Sequence, residues 1–302
     1  MVFDAVYYEP DSLKYELGLQ LMEQYPDIPW IPIESHNSIK EMQEKPNSEF
    51  GHMKRNLIMG IRKTHKYVEN HKVSDYLVPF TSSGCTAMCL YCYLVCNYNK
   101  CAYLRLFVNR EQMLDRLLRR SLKEPGRTYE IGSNSDLVLE NTITGNLLYT
   151  IPRFAEEGNG SLTFPTKFHM VEPLLSLDHR GKVIFRMSVN PQPIISPIAL
   201  GSSLKERIQA VNQMCEAGYP CGLLIAPVIL TDGWKDMYRE LLEELEAGLS
   251  DKMKKTMFLE IILMTYSYVH RAINAEAFPA APDLYSKELM TGRGRGRYCY
   301  RQ

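Results

Sequence analysis

The sequence has no excess of charge of either sign, because its 302 residues include 35 Lys and Arg against 35 Asp and Glu. This balance excludes a polycation that coats nucleic acid by charge alone, so any such binding must use a local patch. Long apolar runs are also missing. The longest, around residues 221–230 and 258–264, fall far short of the roughly 20 residues that span a bilayer. A basic segment followed by an apolar run is not found near the N-terminus. We therefore expect a soluble, cytoplasmic protein with no membrane partner.

Internal repeats and long low-complexity segments are absent as well, which excludes a solenoid or repeat array. Apolar residues make up 45% of the chain and charged residues 23%. This is ordinary globular usage, and it excludes disorder for the bulk of the chain because a sizeable core can be buried.

From about residue 76 onward, short β-rich runs alternate with amphipathic helical patterns. Helices are predicted at 111–122 and 204–217, the second announced by Ser203 and Glu206 at capping-box spacing. Repeated β–α units predict an α/β fold with a parallel sheet that is closed or partly closed into a barrel. The predicted strands of this region are 76–81, 103–108, 128–133, 161–167, 183–189, 222–228 and 258–264.

The pattern divides the chain into three parts. Residues 1–75 are predicted to be an N-terminal extension packed on the barrel, with a helix at 12–25 and a strand at 57–61. Residues 76–280 form the predicted barrel. Residues 281–302 form a C-terminal element rich in Arg, Gly and Tyr.

The cysteines are clustered: Cys85, Cys89, Cys92, Cys96 and Cys101 lie within 17 residues. In a reducing compartment, such clustering indicates metal or redox chemistry rather than structural disulfides. The first three form C-x-x-x-C-x-x-C just after a predicted strand. They can each ligate one iron of a 4Fe–4S cluster, which leaves the fourth iron open to a small chelating molecule. A zinc site completed by Cys96 or Cys101 is the alternative.

Two further cysteines, Cys215 and Cys221, sit in or beside apolar segments. We interpret both as small residues of the core.

Polar side chains stand where the predicted strands end, which is where barrels of this kind bind ligands. Each one alone is also typical of a turn or cap. These residues are Ser133, Ser135, Asp136, Lys167, Ser188 and Asn190.

Near the C-terminus, Arg293, Arg295 and Arg297 alternate with glycines and are followed by Tyr298. In such an element the arginines can bind phosphates and the tyrosine can stack on bases. We therefore regard these residues as a candidate DNA contact. A solvated, frayed tail is the alternative.

The cysteine motif has an aromatic residue, Tyr91, just before its third cysteine. In this it resembles the signature of radical S-adenosylmethionine (SAM) enzymes. Over most of its length the chain further resembles the spore photoproduct lyase family. The segments that carry this resemblance are 55–62 (RNLIMGIR), 92–94 (CYL), 106–109 (LFVN), 133–136 (SNSD), 166–169 (TKFH), 185–190 (FRMSVN) and 226–228 (APV).

The resemblance implies a partial (β/α)6-type radical SAM barrel and repair of the thymine–thymine spore photoproduct that ultraviolet light makes in DNA. Cys85, Cys89 and Cys92 would hold a 4Fe–4S cluster whose electron cleaves SAM, and the resulting 5′-deoxyadenosyl radical would take a hydrogen from C6 of the lesion. The implied partners are damaged DNA and an electron donor such as flavodoxin or ferredoxin.

Roles for other residues follow from the same resemblance. The SAM contacts would be Ser135, Asp136, Lys167 and Ser188, with Asn190 as a further candidate. Tyr91 and Tyr93 would lie near the radical path.

Ser133 departs from the family, whose well-studied members have at this position the cysteine that returns a hydrogen to the product radical. A serine O–H bond is much stronger than an S–H bond, so Ser133 cannot take over this step. Cys96, Cys101 and Tyr93 are the candidate donors. Two other functions stay open: a radical SAM enzyme of the same scaffold with a different substrate, and a non-catalytic protein that binds zinc or a structural cluster.

Overall fold

The computed structural model describes residues 3–92, 94 and 103–301. None of the helices in this part of the chain is long and apolar enough to cross a bilayer. The strands are β1 (Ala5–Tyr8), β2 (Trp30–Pro32), β3 (Asn56–Gly60), β4 (Val68–Glu69), β5 (Tyr76–Leu77), β6 (Ser82–Ser83), β7 (Leu104–Phe107), β8 (Thr128–Glu130), β9 (Ser161–Thr166), β10 (Val183–Val189), β11 (Cys221–Val228), β12 (Phe258–Leu263), β13 (Thr265–Ser267), β14 (Met290–Gly294) and β15 (Arg297–Tyr300). The helices are α1 (Glu16–Gln24), α2 (Lys40–Gln43), α3 (Phe50–Met53), α4 (Arg110–Lys123), α5 (Leu137–Thr144), α6 (Asn146–Glu157), α7 (Gln192–Ile195), α8 (Leu204–Glu216), α9 (Trp234–Gly248), α10 (Asp251–Thr256) and α11 (Tyr268–Ala277).

The larger sheet has the strand order β12-β11-β10-β9-β8-β5-β4 and is a curled half-barrel. Its strands from β5 to β12 are parallel, and β4 is an antiparallel edge. Alternate residues of β10, such as Phe185 and Met187, are fully buried in the main core, while Arg186 and Ser188 face the concave side. The predicted partial barrel is thereby confirmed.

A second sheet with the order β2-β1-β3-β7-β6 lies beside the half-barrel. The predicted strand at 103–108 forms, but it pairs with β3 in this sheet and not with a strand of the half-barrel. Leu104 and Leu106 share a core with Leu57 of β3 and Leu17 of α1, and this packing fixes the partner. The division of the chain at residue 75 stays a prediction.

The C-terminal element is a β-hairpin. Arg295 and Gly296 connect β14 to β15 with φ angles of 51° and 69°, and two positive φ angles in a two-residue turn are typical of type I′ hairpins. Strand β15 also pairs with β13, and the hydroxyl of Tyr300 accepts a bond from the backbone N–H of Leu230 at 2.8 Å. These residues are therefore not a frayed tail, although Arg293, Arg295 and Arg297 are exposed to solvent.

An ion network crosses the concave face of the half-barrel. The guanidinium of Arg186 on β10 lies 2.7 Å from Glu130, at the end of β8, and 3.0 Å from Glu260 on β12. It also donates to Thr163 on β9 at 2.9 Å. The sheet does not close on itself, and backbone pairing joins each strand only to its neighbours. The buried side chain of Arg186 adds a direct connection among β8, β9, β10 and β12.

Replacing Arg186 by Ala should lower the free energy of unfolding by about 3 kcal/mol, because two largely buried carboxyl groups lose their cationic partner. Urea denaturation measures this change. The matched control is Arg239→Ala, which removes an exposed pair with Asp236 at 2.6 Å and should cost at most about 1 kcal/mol. Equal losses in the two variants would contradict a role for the network in holding the half-barrel.

Candidate active site

A cavity of about 430 Å³ lies on the concave face, between the carboxyl ends of the parallel strands and residues 84–92, which we call the cysteine loop. Side chains of the half-barrel form one wall of this main cavity, and the cysteine loop forms the other. The site residues predicted from the sequence that line it are Cys85, Cys89, Tyr91, Cys92, Ser133, Ser135, Asp136, Lys167 and Ser188.

The cysteine loop leaves β6 at Gly84, which has a φ of 77° and donates its N–H to the carbonyl of Asn134 at 2.8 Å. The ammonium of Lys54 donates to the carbonyls of Cys85 at 2.5 Å and Ala87 at 3.0 Å. These bonds fix the start of the loop against both sheets.

The three cysteines of the motif are free thiols that face one cavity. Burial raises the pKa of Cys85 to about 12 and also raises that of Cys92, and the charge of Lys54 opposes both shifts. A metal deprotonates the thiols that coordinate it. Among the described residues, no three His, Cys, Asp or Glu side chains form a group that could hold one ion. Thiols on one cavity wall suit a cluster, in which each ligates a different iron.

Lys167 links the strand ends to the cysteine loop. Its ammonium donates to the hydroxyl of Tyr91, lies 4.4 Å from the centre of that ring and lies 3.8 Å from the sulfur of Cys89. Burial lowers the pKa of Lys167, but the neighbouring Cys89 and Tyr91 outweigh burial and leave the pKa raised. Burial also raises the pKa of the Tyr91 hydroxyl. A charged lysine therefore faces a neutral phenol in the cavity wall.

Both carboxylate oxygens of Asp136 are used within the chain. One accepts the N–H of Leu139 at 3.1 Å, which caps α5, and the hydroxyl of Thr166 at 2.8 Å. The other accepts the backbone N–H of Lys167 at 3.0 Å. Asp136 thus ties the end of β8 to the end of β9 and positions Lys167, while a direct contact with a ligand stays a prediction.

Ser135 belongs to a buried polar network that the sequence did not reveal. Its hydroxyl lies 2.7 Å from that of Ser82, which also contacts Glu140. Glu140 is fully buried and accepts bonds from Thr81 at 3.1 Å and Asn146 at 2.5 Å. The signal for it was a carboxylate within the otherwise apolar start of α5 (Leu137, Val138, Leu139).

Arg207 is a second buried charge that sequence analysis missed. It is completely buried in α8 and donates to the carbonyls of Ser202 at 2.8 Å, Ser188 at 3.1 Å and Ala199 at 3.2 Å. Its charge acts on Tyr91 and Cys89. The only signal was a charged residue on the apolar face of the predicted helix.

The other predicted site residues are not among those described as lining the main cavity. Asn190 is buried outside the described lining of the main cavity, where it accepts a bond from Tyr238 at 2.9 Å. The residues Tyr93, Cys96 and Cys101 lie outside the described part of the chain. The hairpin residues Arg293, Arg295, Arg297 and Tyr298 are likewise not among the described residues that line the cavity.

A half-barrel of parallel strands whose open ends face a C-x-x-x-C-x-x-C loop defines the radical SAM fold. The family model for spore photoproduct lyase matches residues 1–302. The chain belongs to the spore photoproduct lyase family.

Individual relatives agree with this assignment. The spore photoproduct lyase of Bacillus subtilis (strain 168) is 32% identical over 309 residues, which cover 98% of this chain and 90% of the relative. That of Geobacillus sp. (strain Y412MC61) is 30% identical, with 98% and 89% covered. A solved variant of spore photoproduct lyase with bound AdoMet and dinucleoside spore photoproduct superposes with a TM-score of 0.91 at 27% identity, over 100% of this chain and 91% of that one.

Replacing Asp136 by Ala should lower the free energy of unfolding by about 2 kcal/mol, because a helix cap is lost and buried donors lose their acceptor. Since Lys167 loses its backbone anchor, affinity for SAM, the ligand predicted for this site, should fall on the order of tenfold. Urea denaturation and calorimetric titration measure the two effects.

The control is Ser250→Ala, which removes the cap of α10, a bond from Met253 at 3.2 Å. It should cost about 1 kcal/mol and leave SAM affinity unchanged. Wild-type SAM affinity in Asp136→Ala would contradict the positioning role.

Proposed function

We propose that this protein repairs the thymine–thymine spore photoproduct in DNA by radical SAM chemistry. The observation that carries the proposal is the main cavity, where three free cysteines face the polar strand ends that the family resemblance assigns to SAM. Membership of the spore photoproduct lyase family supports the same substrate.

In this proposal Cys85, Cys89 and Cys92 would hold a 4Fe–4S cluster, and SAM would occupy the main cavity that these cysteines and Lys167 line. With both groups bound, the site supplies an electron that cleaves SAM to methionine and the 5′-deoxyadenosyl radical. An external one-electron carrier such as flavodoxin or ferredoxin provides that electron. The protein contributes orientation and exclusion of competing reactions.

The chain's own side chains suit these tasks. The ammonium of Lys167 is a donor for the carboxylate of SAM, and it can exchange Tyr91 for that ligand because the phenol is neutral. Ser188 stands beside it at the end of β10. Leu77, Leu224 and Ile262 supply apolar wall for the thymine rings, and a lesion in duplex DNA must be extruded to reach them.

The hydrogen donor in this proposal is not the family's usual cysteine. Ser133 lines the main cavity, but its O–H bond is too strong to quench a thymine radical. Tyr91 has its hydroxyl in the same cavity wall. The predicted donors Tyr93, Cys96 and Cys101 stay predictions because they lie outside the described residues.

A radical SAM enzyme that acts on a different substrate is the second candidate. Ser133 favours it, since the proposed cluster ligands and Lys167 line the cavity while the family's usual quenching residue is replaced. Anaerobically reconstituted protein, SAM, dithionite and a synthetic spore-photoproduct dinucleotide distinguish the two. Repaired thymine dinucleotide supports the lyase, and 5′-deoxyadenosine without repair favours another substrate.

In the same assay, Cys89→Ala should bind little iron and form no 5′-deoxyadenosine, because one of three cluster ligands is lost. Iron content, visible absorbance and product analysis measure this. Cys215→Ala is the control: Cys215 is equally a free and buried cysteine but belongs to the main core, so iron content and product should stay at wild-type levels. Full activity in Cys89→Ala would refute the cluster assignment.

The C-terminal hairpin is the proposed DNA contact. Arg293, Arg295 and Arg297 are exposed on it, whereas the ring of Tyr298 packs 4.6 Å from that of Tyr285. The arginines are thus available to phosphates, and Tyr298 supports the hairpin.

Changing the three hairpin arginines to Gln should weaken DNA binding and reduce its salt dependence by about one unit of slope for each phosphate that an arginine no longer neutralises. Fluorescence anisotropy over a salt series measures this. The control changes three exposed arginines outside the hairpin and should leave the slope unchanged. They are Arg119 on α4, Arg180 in the turn before β10 and Arg239 on α9. The same slope in both triple variants would assign the hairpin arginines to solvent.

A further inference from the structure

Lys54 is a buried cation beneath the cysteine loop. It follows α3 directly and precedes β3, and the residue is 3% exposed. Its ammonium donates to the carbonyl oxygens of Cys85 at 2.5 Å and Ala87 at 3.0 Å. These carbonyl oxygens are neutral acceptors that hold the ammonium in place.

The charge of Lys54 acts on the thiols of Cys85 and Cys92. Lys167 and Arg207 act on Cys89 from the other side. Unlike Lys167, Lys54 is not among the described residues that line the main cavity. It therefore reaches the thiols from behind the loop, and a ligand in the cavity would contact the loop and not its ammonium.

A cluster held by these cysteines carries the negative charge of its thiolates, and reduction adds one more. Net charge, hydrogen bonding and solvent exposure set the potential of such clusters. A fixed cation in a site of low dielectric stabilises the added charge far more than one in water does. The two short bonds to the loop hold this cation in place.

We propose that Lys54 is a positioning residue that fixes the cysteine loop and stabilises the reduced form of the cluster. This inference rests on the proposed function, because it requires the cluster. The electron comes from the external carrier, and Lys54 neither donates nor accepts it. The effect of Lys54 is to make SAM cleavage accessible to a weaker reductant.

The test compares reductive titrations of reconstituted wild-type protein, Lys54→Met and Lys54→Arg, followed by electron paramagnetic resonance. In Lys54→Met the ratio of reduced to oxidised cluster at a fixed potential should fall on the order of tenfold, which is about 59 mV for a one-electron couple. Lys54→Arg keeps the charge and should stay close to wild type. The control is Arg55→Gln, which removes the neighbouring cation, exposed and paired with Asp4 at 2.6 Å, and should not shift the potential.

A wild-type potential in a fully loaded Lys54→Met would overturn the inference. If Lys54→Met loses the cluster while Lys54→Arg keeps it, positioning by the cation is supported. If neither variant keeps the cluster, amide hydrogen exchange of the cysteine loop in cluster-free protein tests whether Lys54 positions the loop. Exchange that is on the order of tenfold faster than wild type in Lys54→Met supports positioning, and unchanged exchange overturns it.

A failure of the proposed function would give a different experimental result. Wild-type protein that binds no iron would refute the cluster itself, whereas the exchange measurement would still test Lys54 against the loop.

Discussion

The junction between the cysteine loop and the end of β8 is the constraint on which the site depends. The cysteine loop follows β6 of the second sheet, whereas the polar strand ends belong to the half-barrel. The two sheets must therefore keep a fixed position relative to each other. Gly84 bonds to Asn134, Ser82 lies against Ser135, and the buried Glu140 holds Ser82 from behind. These bonds are buried or half-buried, where leaving a polar group without a partner is costly. Small movements at this junction would therefore separate the cysteines from the side chains that face them.

Charge is concentrated around the same junction. Lys54, Lys167 and Arg207 are largely or completely buried near the thiols, and Asp136 and Glu140 are buried in the walls. Burial of an ion is unfavourable unless hydrogen bonds and opposite charges compensate it. Here backbone carbonyls hold Lys54 and Arg207, and backbone N–H groups hold Asp136. Backbone carbonyls thus fix Lys54 and Arg207 close to the thiols that a cluster would use.

Particular elements show how far the sequence could predict this arrangement. Alternating β–α patterns predicted the half-barrel, and the family resemblance implied one SAM site for Cys85, Cys89, Cys92 and Lys167, which line the same cavity. The partner of β7 was not predictable, because an apolar run shows that a strand exists and not which strand it joins. Lys54 and Arg207 were missed because burial of a charged residue depends on tertiary packing. Asn190 directly follows β10, but it is buried outside the described lining of the main cavity and accepts a hydrogen bond from Tyr238.

In the proposed reaction, radical generation and radical quenching would depend on different parts of this structure. Generation would need the cysteine loop, Lys167 and the strand ends, which line the main cavity together. Quenching needs only one weak X–H bond within reach of the product radical. Ser133 changes that bond but keeps a short polar side chain at the same place in the cavity wall. A scaffold can therefore keep the first half of the reaction intact while the second half moves to another residue or to another substrate. For this reason the two candidate functions differ in the fate of the product radical and not in how the first radical arises.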